Sequence, residues 1–481
     1  MELKAILLSL AALPLVKTET VLGVYIFSRH GDRTPKALAP ANLTSLGADE
    51  VYTSGSYYRN RYVASDATSP IFGLSRDIAA LGQLAVSAPV DNVLQSSAQA
   101  FLQGLYPPAG HFSVQELAND SSIAAPLGGY QYIPVNTVSS ASSSTNAENS
   151  AWLQGSSGCN NAVVSSNNYL ASDDYITSYN QSKDFYTHLL PVINSTFGTN
   201  DANFKNAYTI FDYVNVATIH NKTIPASNLL TKQTLYELKL LANVHEWNLA
   251  YNSSDRIRAV AGATLAAEIL QALNTTITRQ GKVPLNIQFG AYGSFLSFFG
   301  LAQLPAVSAD FTGVVDYAAS MAFELVTNVT VGSGSNYPSP DDISVRFMFS
   351  NSSAANSAPA VYPLFGQTES LLPWSQFVSE MNKFAIGDTA AWCQACGNTT
   401  GMCATAFTSS NNGGDATTMA KSRNGMSLAV AGVIGALVTL SVVLGVEALI
   451  YAIAGLRLVR KSTLAAQPSF GTGAAATRAK A

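Results

Sequence analysis

From Val21 to Phe27 the chain reads Val-Leu-Gly-Val-Tyr-Ile-Phe without a charge, then turns abruptly to Ser28-Arg29-His30-Gly31-Asp32-Arg33-Thr34-Pro35-Lys36. A short apolar run rich in β-branched and aromatic side chains predicts a buried strand, and the charges after it predict the loop at its carboxyl end. Open α/β sheets bind their ligands at such loops. Ile78 to Val86, on small and aliphatic residues, reads as a helix. Ser97 to Pro108 has apolar residues at helical spacing and is closed by Gly and Pro. Asn136 to Asn168 is dense in Ser, Asn and Gly, which predicts a long surface loop. Helical patterns follow at Asp184 to Leu190 and Leu229 to Ala250, and Arg256 to Leu273 reads as a core helix. Leu285 to Phe289 alternates with period two, as a strand should; Ser294 to Leu301 reads as the next helix and Ile343 to Phe349 as another strand. Ser409 to Asp415 reads as a stalk.

Two apolar segments stand apart from this pattern. At the amino terminus Lys4 precedes Ala5 to Val16, a length and flank that fit a secretory signal peptide over residues 1–19 better than a spanning helix. Near the other end Leu428 to Val446 carries no charge, and apolar character resumes from Ala448 to Leu456 after the single Glu447. About 20 apolar residues cross a bilayer as a helix, so 428–456 is expected to be a transmembrane segment. Arg457, Arg460 and Lys461 follow at once, which by the positive-inside rule makes 457–481 a cytosolic tail. A lipid-anchor signal is the alternative, but its hydrophobic tail should not precede a long basic extension. Glu447 reads either as a partner contact in the membrane or as an interfacial residue.

The 481 residues suffice for two structural units. Only 12% are charged and the net charge is -4, which argues against nucleic acid as a partner. Ten N-x-Ser/Thr sequons, at Asn42, Asn119, Asn180, Asn194, Asn221, Asn252, Asn274, Asn328, Asn351 and Asn398, all precede the expected span. Cys159, Cys393, Cys396 and Cys403 are even in number, which suggests two disulfides with three possible connectivities. A zinc site on Cys393-x-x-Cys396 is the weaker reading, since no second such pair accompanies it. The expected product is a single-pass type I protein of the secretory pathway, at the cell surface or a vacuolar membrane. His111, His188 and His220 lack metal-ligand spacing, and the sequence implies no metal or other cofactor.

In the loop after the first strand, two guanidiniums could hold a phosphoryl group through planar bidentate hydrogen bonds while an imidazole between them attacks phosphorus. Gly31 lets the backbone turn without a Cβ, and Pro35 stiffens the exit. The contiguous R-H-G-x-R-x-P resembles the signature of the histidine acid phosphatases, the acid phosphatase and phytase branch of the histidine phosphatase superfamily. Leu43-Thr44-Ser45-Leu46-Gly47 and Arg59-Asn60-Arg61-Tyr62 extend the resemblance, which reaches to about Leu301; Thr44 suits a helix N-cap. Arg59 and Arg61 read as a contribution to the pocket's positive potential or as a solvated helix end.

The resemblance implies an α/β fold, a three-layer sandwich around a mostly parallel sheet, formed by 20–130 and 246–425 with a mainly helical cap inserted at 131–245. It further implies that His30 becomes a phosphohistidine while Arg29 and Arg33 bind phosphate, with a phosphomonoester as the small-molecule partner. Two family features are missing. A third phosphate-binding arginine falls on Val93, and the His-Asp pair that binds phosphate and protonates the leaving oxygen falls on Tyr292-Gly293 or, one register earlier, on Ala291-Tyr292. The Tyr292 hydroxyl could reach a phosphate oxygen, or its ring could pack on the cap; with a pKa near 10 it is a weak acid. His245-Glu246 reads as a surface or capping pair on a helix. The expected function is therefore a membrane-anchored extracytoplasmic phosphatase of weakened activity, the alternative being an inactive relative that acts in binding or cell-surface recognition.

Overall fold

The computed structural model describes residues 19–138, 158–332 and 337–404. The signal peptide to its last residue but one, the stalk, the 428–456 span with Glu447, and the tail lie outside the described residues. Among the described residues no helix is long and apolar enough to cross a membrane.

The strands in chain order are β1 (Thr20–Arg29), β2 (Leu84–Pro89), β3 (Val114–Glu116), β4 (Ser122–Ala124), β5 (Asn136–Val138), β6 (Leu285–Gly290), β7 (Ser320–Thr327), β8 (Ile343–Ser350), β9 (Ala360–Val361) and β10 (Leu371–Pro373). β3 and β4 form a separate hairpin; the others make one sheet in the order β10-β8-β7-β1-β6-β2-β5, with β9 paired to β8. β1, β6, β2 and β5 are mutually parallel, which is the mostly parallel sheet expected. The opposite flank is antiparallel, through β7, β8, β9 and β10.

The helices are α1 (Ser45–Tyr58), α2 (Asn92–Leu105), a short irregular α3 (Pro126–Gly129), α4 (Asn160–Leu170), α5 (Asp173–Ile193), α6 (Ala207–His220), α7 (Lys232–Ala250), α8 (Val260–Thr278), α9 (Tyr292–Leu301), α10 (Trp374–Met381) and α11 (Thr389–Cys396). β1 is buried on both faces because helices cover both. Tyr25 and Phe27 pack with Leu265, Ile269, Phe295 and Phe377 on one side, while Val24 and Ile26 pack with Val51, Tyr58, Leu94 and Phe101 on the other. Burying one such large side chain contributes about 1.5–3 kcal/mol, so this strand anchors both halves of the core. Helices α5 to α7, between β5 and β6, share an apolar cluster built on Tyr186, Leu189, Phe204, Ile210 and Leu238.

Several expectations change. Ile78 to Val86 is not a helix: Leu84 to Pro89 is a strand, parallel to β6, and three residues before it form a short 3-10 turn. The helix-forming Ala and Leu residues there are overridden by sheet pairing. β7 gave no clear signal, since Ala, Met and Glu are weak strand formers, yet it is buried throughout and pairs with β1 along its length. Its Glu324 is fully buried and paired with Arg61 and Arg346, with Tyr62 donating to it. Arg61 is therefore neither a pocket residue nor a solvated one, and Arg59 caps the carbonyls of Arg76 and Leu105. The disulfides join Cys159 to Cys396 and Cys393 to Cys403. The Cys393-x-x-Cys396 thiols are thus spent in two different bridges, which removes the zinc reading.

A polar row crosses the α8 side of the sheet. Ser87 of β2 and Gln288 of β6 stand opposite each other there, and with Tyr25, Asn136 and Asn286 they line a cavity closed by Glu268 of α8.

Candidate phosphate-binding site

β1 ends at Arg29, so Arg29, His30 and Arg33 gather where the strand's carboxyl end meets its loop. The loop backbone is held on every side. The His30 carbonyl accepts from Ala318 N (2.9 Å), Gly31 N donates to Ser97 Oγ of α2 (3.3 Å), and Asp32 N donates to Glu50 Oε2 of α1 (2.8 Å). Gly31 does not have a positive φ; it is needed for close approach instead. A Cβ there would lie 2.0 Å from the Gly47 carbonyl oxygen, and a Cβ on Gly47 would lie 2.0 Å from that of Asp32. The glycines of the two matching segments thus explain each other: the loop crosses the first turn of α1 with no room for side chains. Thr44 caps α1 as expected, accepting from Gly47 N.

His30 is buried, and its Nδ1 lies 2.8 Å from the Gly31 carbonyl oxygen. A carbonyl only accepts, so Nδ1 carries the hydrogen and the lone pair of the neutral ring is on Nε2. Tyr317 packs beside the imidazole with ring centroids 5.7 Å apart. The following Ala318 has a φ of 55°, a conformation costly for a residue with a Cβ and of a kind that clusters at functional sites.

Arg29 donates through Nη1 to the Val315 carbonyl and through Nη2 to Tyr208 Oη (3.4 Å). Its guanidinium carbon lies 4.7 Å from the ring centre of Tyr317 and 5.4 Å from that of Tyr292. Arg33 is fully buried and ion-paired to Asp212 of α6 in bidentate fashion, at 3.1 and 3.0 Å, and it donates also to Thr34 O and to Tyr208 Oη at 3.3 Å. Burial works against the Arg33 charge, yet Tyr208, Asp212 and Tyr317 together hold its pKa above the usual arginine value. Asp212 receives two further bonds, from Lys36 N (2.9 Å) and Tyr317 Oη (3.3 Å). The Nε–H groups of both arginines are buried and have no acceptor.

Tyr292, at the first turn of α9, does not aim its hydroxyl at Arg29 or Arg33. It donates to Glu246 Oε2 of α7 at 2.8 Å, and His245 Nδ1 lies 2.8 Å from the other oxygen. Burial, then the neighbouring Glu246 and Tyr208, drive the Tyr292 pKa far above its ordinary value, which makes it a weaker acid than an ordinary tyrosine. The His245-Glu246 pair is accordingly not a surface pair but packs behind the site. Val93 is buried on α2, one turn before Ser97, and brings no charge. Asp32 is buried with His220 Nε2 at 2.6 Å and bonded also by Thr44. Burial raises the pKa of half-buried Glu50, against the pull of the Asp32 amide.

The arrangement brings together all four residues singled out in the sequence, Arg29, His30, Arg33 and Tyr292. It adds Tyr208, Asp212 and Tyr317. Tyr208 and Asp212 are four apart on α6 and so share one face; a single Asp in an otherwise uncharged helix was the signal available for them.

A family model described as the histidine phosphatase superfamily, branch 2, matches residues 38–350. The chain belongs to this family. No curated protein sequence is matched. Among solved structures, the Citrobacter braakii phytase superposes with a TM-score of 0.51 at 14% identity, covering 78% of this chain and 99% of that one. The phytase from D. castellii gives 0.49 at 14% identity over 79% of this chain and 82% of that one, and the Bifidobacterium longum multiple inositol polyphosphate phosphatase in complex with inositol hexasulfate gives 0.46 at 13%, over 79% and 96%. At these identities the likeness to the C. braakii enzyme speaks for the fold. Arg29, His30 and Arg33 lie just ahead of the matched region, and Tyr292 and Gly293 lie within it.

Proposed function

We propose that this protein hydrolyses phosphomonoesters through a phosphohistidine on His30, with Arg29 and Arg33 holding the phosphoryl group, and that it favours substrates whose leaving group needs no protonation. The observation that carries this reading is the pair of buried, acceptorless Nε–H groups on the two arginines flanking His30. A buried charged donor without a partner is costly, and a phosphoryl oxygen supplies the acceptor. In the first step His30 Nε2 forms the N–P bond as the ester P–O bond breaks; water then cleaves the N–P bond and releases phosphate. Tyr292 braces the Arg29 guanidinium with its ring. General acid catalysis typically contributes about 10² to 10⁴-fold, and with a tyrosine of raised pKa at the second motif the reaction is confined to good leaving groups.

The proposed setting is extracytoplasmic, anchored by the 428–456 segment. Ten sequons support it: none of their asparagines is buried. So do two disulfides.

A second reading, a binding protein without turnover, is favoured by one observation: every Nη hydrogen of Arg33 already has a partner, in Thr34, Asp212 and Tyr208. To separate the two, the full-length protein in detergent is assayed on an aryl and an alkyl phosphate between about pH 3 and 7. Aryl turnover that is lost in His30→Ala, with acid-labile phosphate trapped on His30, supports the enzyme. No turnover of either ester, even in the Tyr292→His, Gly293→Asp double variant, establishes the binding reading.

A further inference from the structure

We propose that Asp212 is a specificity residue that makes the clamp select the singly charged form of a phosphate group over the doubly charged form. The proposal rests on the phosphate-binding reading above and adds to it the charge state of the ligand.

Charged groups from several elements meet around the two arginines. The loop after β1 contributes Arg29, Arg33 and Lys36, whose Nζ lies 5.7 Å from the ring centres of both Tyr208 and Tyr292. α6 contributes Asp212, in bidentate contact with Arg33, and α7 contributes Glu246 behind Tyr292 with His245 against it. Glu246 is paired with His245 as Asp32 is with His220 and Asp316 before β7 with Lys239. The carboxyls of Asp212 and of Glu50 on α1 then stand against the three cations and leave one positive charge.

Two unopposed arginines would match a phosphate dianion. Here the guanidinium that should take the second charge is already matched by a carboxylate that accepts four hydrogen bonds and is almost wholly buried. A second charge on the ligand therefore meets Asp212 rather than a free cation, in surroundings where charges are poorly screened. A monoanion is balanced by Arg29 alone.

The test is calorimetric titration of the full-length protein in detergent with methyl phosphate and with inorganic sulfate, at about pH 5 and about pH 8. A phosphomonoester loses its second proton near pH 6, whereas sulfate is a dianion throughout and reports any titration of the protein itself. The wild type is expected to bind methyl phosphate about 100-fold more weakly at the higher pH, following the loss of monoanion, and to bind sulfate weakly at both. Asp212→Asn is expected to hold methyl phosphate within about threefold at the two pH values and to gain affinity for sulfate. If the variant keeps the wild-type slope, or if wild-type protein binds sulfate as tightly as methyl phosphate at the lower pH, Asp212 does not select charge, although phosphate binding stands. If the wild type binds neither ligand, the phosphate-binding reading falls and this proposal with it. Should Asp212→Asn fail to fold, the comparison of the two ligands on the wild type decides alone.

Discussion

Glu268 offers a stability measurement in which the structure sets both sign and size. Its carboxyl closes the polar cavity under β2 and β6, and burial pushes its pKa up from 4.5 to about 8, against a smaller opposing effect of Gln288. Between those two values the folded chain keeps the proton and the unfolded chain gives it up. Unfolding then releases a proton, so stability falls as pH rises. The contribution is complete below the unfolded pKa and is gone above the folded one. Integrating the linkage relation, the penalty relative to a group with no shift is about 1 kcal/mol at pH 5 and about 3 kcal/mol at pH 7, a difference of about 2 to 3 kcal/mol. Glu268→Gln removes the titration while keeping the shape. Urea unfolding of wild type and variant at both pH values, taken as a difference of differences, cancels every other titrating group. The wild type should lose about 2 to 3 kcal/mol more than the variant over this interval. Parallel losses in the two proteins would refute the reasoning.

Other consequences are more local. Asp212→Ala leaves the fully buried Arg33 charge uncompensated and should cost about 3–5 kcal/mol in chemical denaturation; adding Arg33→Met should restore most of that while abolishing aryl phosphate turnover. Tyr208→Phe removes the hydroxyl shared by Arg29 and Arg33, at about 1–3 kcal/mol, and added phosphate should recover thermal stability by more than it does for wild type. Gly31→Ala sets a Cβ against the Gly47 carbonyl, so turnover should collapse and the melting temperature drop, with Gly47→Ala behaving alike; a wild-type melting curve for either would count against the close approach.

What was legible in the chain was what local order determines. β1 and its loop could be read because an uncharged β-branched run followed by a cluster of charges is decided within about 16 residues, and Thr44 showed itself as a cap by its place before α1. The need for no Cβ at Gly31 is local, but its cause, a clash with Gly47, is visible only once two segments cross. β7 carries little local signal for a similar reason: its residues owe their strand to pairing with β1, roughly 300 positions earlier, and its buried Glu324 is made tolerable by Arg61, Arg346 and Tyr62. The absence of an acid at Tyr292-Gly293 was evident from the order of residues, but the partners that Arg33 and Tyr292 take instead, Asp212 and Glu246, come from helices placed by packing. A lone Asp in α6 carried no local sign of its target.

The Cys159–Cys396 bridge turns the chain between those residues into a covalent ring, and the ring holds Tyr208, Asp212, Glu246, Tyr292 and Tyr317. Arg29, His30 and Arg33 lie outside it. A protease cut anywhere inside the ring therefore leaves its fragments attached, whereas one cut between Arg33 and Cys159 severs the only covalent path from Arg29, His30 and Arg33 to the residues that surround them. The site is assembled across a single strand of backbone, and under oxidising conditions that stretch is where one cleavage parts its two halves into separate polypeptides held by non-covalent contacts such as the Arg33–Asp212 ion pair.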